Sequence, residues 1–434
     1  MSVRPDPRGR WTVVHKGARD SYQTSLALAE AGVLDALVTD WYSPLDRGWF
    51  DGLTRLAPPG VRRELARRYR AGLPSARVRV YPRDYVMARF EDARDRRGDA
   101  AIGRYAGRRA RARGTGLLAY SCYAQAAFPA YGHAGPKVIF QVHPHPAALR
   151  ALFADEAARV PEAAASLARE PEMSLAPAVY AARCGEARLA DLCIVASDYV
   201  RRTLVAQGVD GRRVRVVPYG VDLPDARPEP RDTGDTFRVL FVGQAIQRKG
   251  LSYLLEAWRR LALPNAELVL AGRGGTDDAL IARYEGLFRP GSFRRTGPVS
   301  REALRALYQT SDVLCMPSLA EGFGLVYLEA LAQGTPVVAT PNTGVADLVR
   351  DGEEGFIVGV RDVDALAERL AWGHAHRGEL AAMRGAARRL AERQSWAAFR
   401  RGLVRALGDA SRPLEAPGAG ATDVAVRAVA AHAA

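Results

Sequence analysis

The C-terminal half of the chain contains Pro317-Ser-Leu-Ala-Glu321-Gly-Phe-Gly-Leu-Val-Tyr-Leu-Glu329-Ala-Leu-Ala-Gln-Gly334-Thr-Pro336. An apolar run precedes this segment and a second one follows it, so the pattern predicts strand, glycine-containing turn, helix and strand. Glycine lets the backbone approach a ligand closely, and the N-terminus of the helix offers N–H groups to an anion. Gly334 is typical of the residue that follows a helix, and Pro336 prevents the helix from continuing.

Two acidic residues of this segment, Glu321 and Glu329, are eight positions apart. Helix geometry separates them by about 80° around and about 12 Å along the axis. They can contact opposite ends of one extended ligand but not each other, unlike the catalytic carboxyls of glycosidases, which lie about 5–9.5 Å apart. Alternatively, Glu321 interacts with the helix dipole and Glu329 is a solvated surface residue, although apolar neighbours of Glu329 disfavour exposure.

The flanking sequence alternates short apolar runs with helical patterns, which is typical of doubly wound parallel sheets. The predicted strands are 11–15, 36–39, 78–81, 117–120, 137–143, 192–196, 214–217, 237–243, 266–271, 313–316 and 336–340. The predicted helices in the second half are 251–261, 301–310, 325–333 and segments within 363–409. Residues 222–235 are rich in proline and charge and predict an interdomain linker.

We therefore expect an α/β protein of two facing Rossmann-like domains, 1–225 and 236–395, with a flexible tail at 411–434. A length of 434 residues suits two domains. Ligands of open α/β sheets bind beyond the carboxyl ends of the strands, so the cleft between the domains is the expected site.

Three other motifs follow predicted strands. A strand ending at Gly243 is followed six residues later by Lys249, which can place an ammonium over a phosphate, although such turns are common on surfaces. His143 and His145 lie in a proline-locked turn, and since no carboxylate or cysteine accompanies them at ligand spacing, no metal site is expected. The loop at Gly17 lacks the G-x-G-x-x-G pattern, so a nicotinamide cofactor is not indicated.

The net charge of +14 suits an anionic partner: nucleic acid, an anionic membrane surface or a phosphorylated small molecule. Genome bias toward arginine is the alternative explanation. Arginines are densest in the N-terminal half, where they could face a lipid headgroup or an anionic acceptor. No run of about 18 apolar residues and no signal-peptide pattern are present, so the sequence predicts a cytoplasmic protein with reduced cysteines.

The Glu-x7-Glu segment, its Gly-Phe-Gly and the following Gly-Thr-Pro-Val-Val-Ala resemble the signature of the family 4 glycosyltransferases, also called glycosyl transferases group 1. The resemblance covers roughly residues 135–400 and implies the GT-B fold of two Rossmann-like domains. It also implies that Glu321 contacts the donor sugar as a catalytic residue and that Glu329 holds the ribose hydroxyls. Backbone amides near Phe323, Gly324 and Leu325 would contact the sugar and the diphosphate.

The segment from Gly243 to Lys249 resembles the diphosphate site of the family, with Lys249 as the catalytic cation. Gln244 stands where the family has an arginine, so leaving-group stabilisation would depend on Lys249, the helix N-terminus and Arg248. His143 resembles the catalytic histidine that contacts the donor sugar.

Weaker matches complete the expected site. The resemblance implies that the Gly17 loop contacts phosphate or acceptor, that the backbone of Val299 pairs with the base, and that Thr343 lines the sugar pocket. It also implies a last helix, 396–410, that returns to the N-terminal domain.

The function implied by this resemblance is a retaining transfer of a hexose from a UDP- or GDP-sugar to a hydroxyl of a lipid-linked, saccharide or small-molecule acceptor. This transfer needs no metal or cofactor. The basic N-terminal half, rather than the resemblance, indicates envelope or extracellular polysaccharide or glycolipid synthesis with peripheral contact at the inner face of an anionic membrane, and a soluble natural product is the alternative. An epimerase or a phosphorylase of similar fold stays open, and Gln244 keeps a catalytically silent partner subunit open. A basic nucleic-acid-binding protein is disfavoured because the arginines are dispersed without interleaved aromatic residues, so no nucleic acid is expected.

Overall fold

The computed structural model of the protein describes residues 9–81, 97–224, 234–272 and 277–410. It contains two parallel β-sheets of seven and six strands, each covered by helices. The expected α/β fold of two Rossmann-like domains is confirmed.

The N-terminal sheet has the strand order β3-β2-β1-β4-β5-β6-β7 and all its pairs are parallel. Its strands are β1 Trp11–Val14, β2 Leu34–Thr39, β3 Val78–Val80, β4 Gly116–Tyr120, β5 Lys137–Gln141, β6 Leu192–Val195 and β7 Val214–Val216. Its helices are α1 Gln23–Glu30, α2 Gly48–Arg55, α3 Pro59–Arg67, α4 Arg97–Arg113, α5 Ala124–Tyr131, α6 Pro146–Arg159, α7 Ala164–Leu167, α8 Pro171–Ser174, α9 Pro177–Gly185 and α10 Asp198–Ala206.

The C-terminal sheet has the order β10-β9-β8-β11-β12-β13, again entirely parallel. Its strands are β8 Phe237–Val242, β9 Ala266–Ala271, β10 Phe293–Gly297, β11 Val313–Cys315, β12 Val337–Ala339 and β13 Gly355–Ile357. The helices of this half are α11 Leu251–Leu261, α12 Asp278–Glu285, α13 Arg301–Thr310, α14 Leu325–Ala332, α15 Val363–Ala375, α16 Arg377–Arg393 and α17 Trp396–Ala410.

The central strands are continuous apolar runs because helices cover both faces of each sheet. In β1 all four residues are buried, and in β11 all three are buried. This burial explains why apolar runs located these strands in the sequence. The sequence missed β10, β13 and α12, while 225–233 of the expected linker and the tail 411–434 lie outside the described residues.

Helix α17 belongs to the C-terminal end of the chain but packs on the N-terminal domain. Arg400 donates to Glu30 and Gln23 of α1 at 2.7 and 2.8 Å, and the Phe399 ring lies 6.3 Å from that of Phe140 in β5. These contacts join the end of the chain to the first domain.

In each sheet the strand order reverses between two central strands. These are β1 and β4 in the N-terminal sheet and β8 and β11 in the C-terminal sheet. Loops that leave such neighbouring strands in opposite directions form a crevice at the carboxyl edge. The polar contacts described below join the loops of the two domains across this crevice.

Candidate functional site

The two domains touch at Gly322, in the turn between β11 and α14. A Cβ on Gly322 would lie only 2.0 Å from the carbonyl oxygen of Val142, just beyond β5. Ser197, which precedes α10, donates its hydroxyl to the carbonyl oxygen of Gly322 at 2.8 Å. Only glycine allows this approach, so the structure is a closed arrangement of the two domains.

A second contact between the domains is centred on Glu156 near the end of α6. Its carboxylate accepts hydrogen bonds from Gln247 Nε2 at 2.6 Å, Tyr253 Oη at 2.8 Å and Arg361 Nε at 2.7 Å. All three donors belong to the C-terminal domain, and the Glu156 side chain is buried. This carboxylate therefore holds the closed arrangement.

Glu321 lies beside two cations at the crevice. Its Oε1 is 3.1 Å from Arg248 Nη1 and 3.6 Å from Lys249 Nζ. Gly250 brings the loop after β8 against the chain beyond β11, because its φ of +74° and its contact with the Pro317 carbonyl exclude a side chain. Burial raises the pKa of Glu321, but the two cations outweigh it and hold this pKa below its usual value. The carboxylate is therefore charged at neutral pH.

Lys249 also lies over Gly243, at the end of β8. A Cβ on Gly243 would be 2.8 Å from Lys249 Nζ, so the ammonium occupies the space that a side chain would fill. Burial lowers the pKa of Lys249, while the neighbouring Glu321 raises it again in part. The arrangement places a positive charge where β8, β11 and α14 converge.

The N-terminus of α14 adds a second positive element. Gly324 precedes the helix with a φ of +87°, and no side chain caps it. The first N–H groups of a helix have no partner within the helix and attract anions. Phe323 is buried with its ring 5.6 Å from that of Tyr219, which ties the turn to the N-terminal domain.

A cavity of about 850 Å³ lies between the domains. Its charged and titratable lining residues are Lys16, Arg19, Asp40, Asp99, Cys122, Tyr123, His143, Glu170, Glu172, Arg183 and Arg248. Arg248 joins the two domains here, because its Nε donates to Glu170 Oε1 at 3.2 Å. The Arg248 side chain is thus held between Glu170 and Glu321.

His143 is exposed to this cavity. Desolvation by the surrounding protein lowers its pKa to about 4, and the cations of Arg19, Arg248 and Arg183 act in the same direction, against Glu321. The imidazole is therefore neutral at pH 7 and can donate or accept a hydrogen bond to a sugar hydroxyl.

Glu329 faces a second, smaller cavity of about 280 Å³. Tyr308 of α13 donates its hydroxyl to Glu329 Oε2 at 3.0 Å, and burial raises the pKa of Tyr308, which keeps it a donor. Arg301, Arg305, Leu325 and Trp396 line the same cavity. This cavity suits a polar ligand with hydroxyl groups, since a carboxylate accepts hydrogen bonds from them.

The remaining predicted residues differ in their relation to the two cavities. Gln244 is exposed, and neither it nor Val299 lines either cavity. Thr343 is fully buried and donates to the carbonyl oxygen of Thr340 at 2.8 Å. Gly17 lines the large cavity, but its N–H donates to Asp40 at 2.8 Å.

Sequence reasoning missed Glu170, Arg183 and Asp99. They lie in helices and turns of the N-terminal domain that contain no motif, so no local signal marks them. It also missed the backbone of Asp20, Ser21 and Tyr22, whose φ values of +44°, +51° and +62° are unusual for residues with side chains. Such strain collects at functional sites.

Among residues 9–81, 97–224, 234–272 and 277–410, no group of three or more His, Cys, Asp or Glu side chains could hold a metal ion. Over the same residues, no helix has the length and apolar character needed to cross a bilayer.

The comparisons with known proteins agree with this geometry. Residues 224–390, which include Lys249, Glu321 and Glu329, match the family model "Glycosyl transferases group 1". Over these residues the chain is similar to the glycosyl transferases group 1 family. The resemblance of its Glu-x7-Glu segment to that family is thereby confirmed.

Curated relatives of this group 1 domain include a D-inositol 3-phosphate glycosyltransferase of Mycolicibacterium paratuberculosis. It is 37% identical over 198 residues, which are 42% of this chain and 44% of that protein. An uncharacterized glycosyltransferase of Methanocaldococcus jannaschii is 36% identical over 142 residues, which are 32% of this chain and 35% of that protein. The chain thus spans less than half the length of these relatives in the match.

Solved structures extend the likeness of fold to both domains. Sucrose-phosphate synthase of Thermosynechococcus elongatus superposes with a TM-score of 0.62 and 19% identity over 93% of this chain and 99% of that chain. Anabaena HepE in complex with UDP and glucose gives a TM-score of 0.58 and 16% identity over 92% of this chain and 99% of that chain. At these identities the likeness shows that the group 1 domain is one half of a shared two-domain fold.

Proposed function

We propose that the protein is a glycosyltransferase that transfers a hexose from a nucleotide sugar to a hydroxyl acceptor, with retention of anomeric configuration and without a metal. The strongest support is the position of Lys249 against Glu321 at the start of α14, in a crevice that both domains close. Preorganised cations and helix N–H groups stabilise the charge that develops on a departing diphosphate.

In the proposed reaction the diphosphate leaves toward Lys249 and the first turn of α14. The charged Glu321 and the neutral His143 hold the sugar, and the β-phosphate oxygen takes the proton of the acceptor hydroxyl. Glu329, oriented by Tyr308, binds the ribose in the smaller cavity. Closure of the domains excludes water, which would otherwise hydrolyse the donor.

The donor is tested first by ligand binding. The melting temperature is measured with UDP, GDP and ADP and with their glucose and mannose derivatives, since a ligand that binds the folded state raises it. We propose a UDP- or GDP-linked sugar, and UDP takes precedence because the similar HepE structure contains it. If no nucleotide raises the melting temperature of the wild-type protein, the proposed function is wrong.

The role of Lys249 is tested by turnover. Lys249→Ala should lower nucleotide release by about 100-fold or more, the usual effect of removing one preorganised charge. Lys137→Ala is the matched control, because Lys137 starts β5 and so lies at the end of the strand opposite the crevice. Equal rates for Lys249→Ala and the wild-type protein would exclude the proposed role, and absence of transfer by both would favour a silent partner subunit.

Stereochemistry and metal dependence need separate measurements. Proton NMR of the early product should show the anomeric configuration of the donor, and EDTA should leave the rate unchanged. An inverted product or a rate that collapses in EDTA would refute the corresponding part of the proposal. Nucleotide or sugar-nucleotide products formed without acceptor would point instead to an epimerase.

We also propose that the protein acts at the cytoplasmic face of an anionic membrane, in envelope or extracellular polysaccharide or glycolipid synthesis. Support comes from the α2–α3 surface, defined by Trp49, Leu53, Leu56 and Val61, whose exposed fractions are 63, 61, 86 and 50%. Exposed arginines flank it at Arg47, Arg55, Arg62, Arg63 and Arg67. Apolar side chains surrounded by cations are typical of surfaces that enter an anionic lipid interface.

Vesicle sedimentation tests this contact. Vesicles with phosphatidylglycerol should sediment the protein, while phosphatidylcholine vesicles should not. The double variant Leu53→Ser/Leu56→Ser should bind several-fold more weakly, whereas Leu287→Ser, another exposed leucine on the C-terminal domain, should bind as the wild type does. Equal binding of the double variant and the control would refute this location of the contact.

A further inference from the structure

The cations of the large cavity differ in their partners. Lys16 Nζ lies 3.0 Å from Asp99 Oδ1, and Arg183 Nη2 lies 3.9 Å from Asp99 Oδ2. Arg248 is paired with carboxylates of both domains, as described above. Within the part of the chain that the structure describes, the Arg19 guanidinium has neither an ion pair nor a hydrogen bond, although it lines the same cavity.

Among the residues that the structure describes, no carboxylate lies within ion-pair distance of the Arg19 guanidinium. The groups that interact most strongly with its charge are Tyr123, Cys122 and Tyr219. Burial raises the pKa of Cys122 to about 11 and raises the pKa values of both tyrosines, so all three are neutral at pH 7. A largely desolvated charge without a counterion is unfavourable, and a ligand that brings a negative charge would remove this cost.

The backbone fixes Arg19 in place. The three residues that follow it have left-handed φ values, which side chains disfavour. They are held because the Asp20 carboxylate accepts hydrogen bonds from Tyr120 Oη and Thr24 Oγ1, each at 2.6 Å. A cation held by a strained and well-anchored turn is preorganised for a ligand.

We propose that the acceptor carries an anionic group, a phosphate or a carboxylate, and that Arg19 binds it beside His143. This inference rests on the proposed function. The planar guanidinium matches both anions through two parallel hydrogen bonds.

The donor diphosphate is the other possible source of such an anion. We assign the anion to the acceptor because Arg19 belongs to the N-terminal domain, on the loop after β1, whereas Lys249 and α14 already provide positive charge for the diphosphate from the opposite domain. Arg19 and His143 both line the large cavity, and the Arg19 cation lowers the pKa of His143.

The test fills the diphosphate site first. The wild-type protein is saturated with the nucleoside diphosphate that binds best, and glucose 6-phosphate, glucose and inorganic phosphate are then titrated by calorimetry and ³¹P NMR. Glucose 6-phosphate should bind at least tenfold more tightly than glucose. Arg19→Gln should weaken glucose 6-phosphate binding by about 30-fold or more, which is usual for truncating one partner of a desolvated charge pair.

Two variants serve as controls. Arg19→Lys keeps the positive charge but loses the planar guanidinium, so it should retain part of the affinity for glucose 6-phosphate. Arg111→Gln removes an exposed arginine from α4 and should change nothing. Undiminished binding of the nucleoside diphosphate by Arg19→Gln shows that the variant is folded.

Three results would overturn the inference. One is equal binding of glucose 6-phosphate by the wild type and Arg19→Gln, and another is the absence of any preference for the phosphate in the wild type. The third is a selective loss of nucleoside diphosphate binding in Arg19→Gln, which would assign Arg19 to the donor. If no nucleotide binds at all, the proposed function fails, while titration of the unliganded protein with glucose 6-phosphate still tests Arg19.

Discussion

Replacement of Gly322 by alanine should separate the two domains and abolish most of the turnover. The added Cβ would lie 2.0 Å from the carbonyl oxygen of Val142, whereas a carbon and an oxygen that are not bonded approach to about 3.3 Å. The domains must therefore move apart by about 1.3 Å at this point. The φ of Gly322 is not positive, so alanine causes no backbone strain of its own.

The expected cost follows from this displacement. A misplacement of about 1 Å between reacting groups lowers turnover by about 100-fold, so kcat of Gly322→Ala should fall by that factor. The proposed nucleotide contacts belong to the C-terminal domain, so the Kd of the nucleoside diphosphate should change by less than about threefold, below 1 kcal/mol. A loss of kcat with nearly unchanged nucleotide affinity is the signature of failed closure.

Three measurements decide the question: nucleotide release for kcat, calorimetry for the nucleoside diphosphate, and small-angle scattering for closure. Gly286→Ala is the matched control, because its φ is −71° and a Cβ there meets no atom within 4 Å. If Gly322→Ala keeps wild-type kcat, or binds nucleotide as poorly as it turns over, the steric reasoning is wrong.

Three further predictions concern single side chains. Tyr308→Phe removes the donor to Glu329 and should weaken nucleotide binding by about tenfold, the value of one hydrogen bond to a charged group, as measured by calorimetry. Glu156→Gln breaks the buried carboxylate contact between the domains and should lower the melting temperature by several degrees, equivalent to about 2 kcal/mol. The NMR titration of His143 should have its midpoint near pH 4, and Arg19→Gln should raise it, because loss of a neighbouring cation favours the imidazolium.

Each of these three predictions has a control variant of the same protein. Tyr284→Phe and Glu285→Gln, both in the α12 segment, should leave nucleotide affinity and melting temperature unchanged. His143→Gln assigns the resonance. A tenfold loss of nucleotide affinity in Tyr284→Phe, an unchanged melting temperature in Glu156→Gln, or a titration midpoint of His143 near pH 6.5 would each contradict the corresponding contact.

Most of the strands could be predicted from the chain because burial on both faces of a parallel sheet demands continuous apolar runs. The predicted strands 11–15 and 266–271 agree with β1 and β9 within one residue. The edge strand β10 was missed because its residues Phe-Arg-Arg-Thr-Gly are partly exposed and mostly polar. The other edge strand, β13, begins at Gly355 and contains only two apolar residues, so no apolar run marked it.

For the site, the local sequence pattern was sufficient to predict which loops face the crevice, because glycines and strand ends mark those loops. Lys249 and Glu321 were both expected there, but their separation of 3.6 Å depends on how two neighbouring strands and Gly250 bring the loops together. The partners of Arg248 and the lack of one for Arg19 could not be predicted at all. Pairing between charges depends on distances of a few ångströms across loops distant in sequence, and only the packing of the whole chain sets those distances.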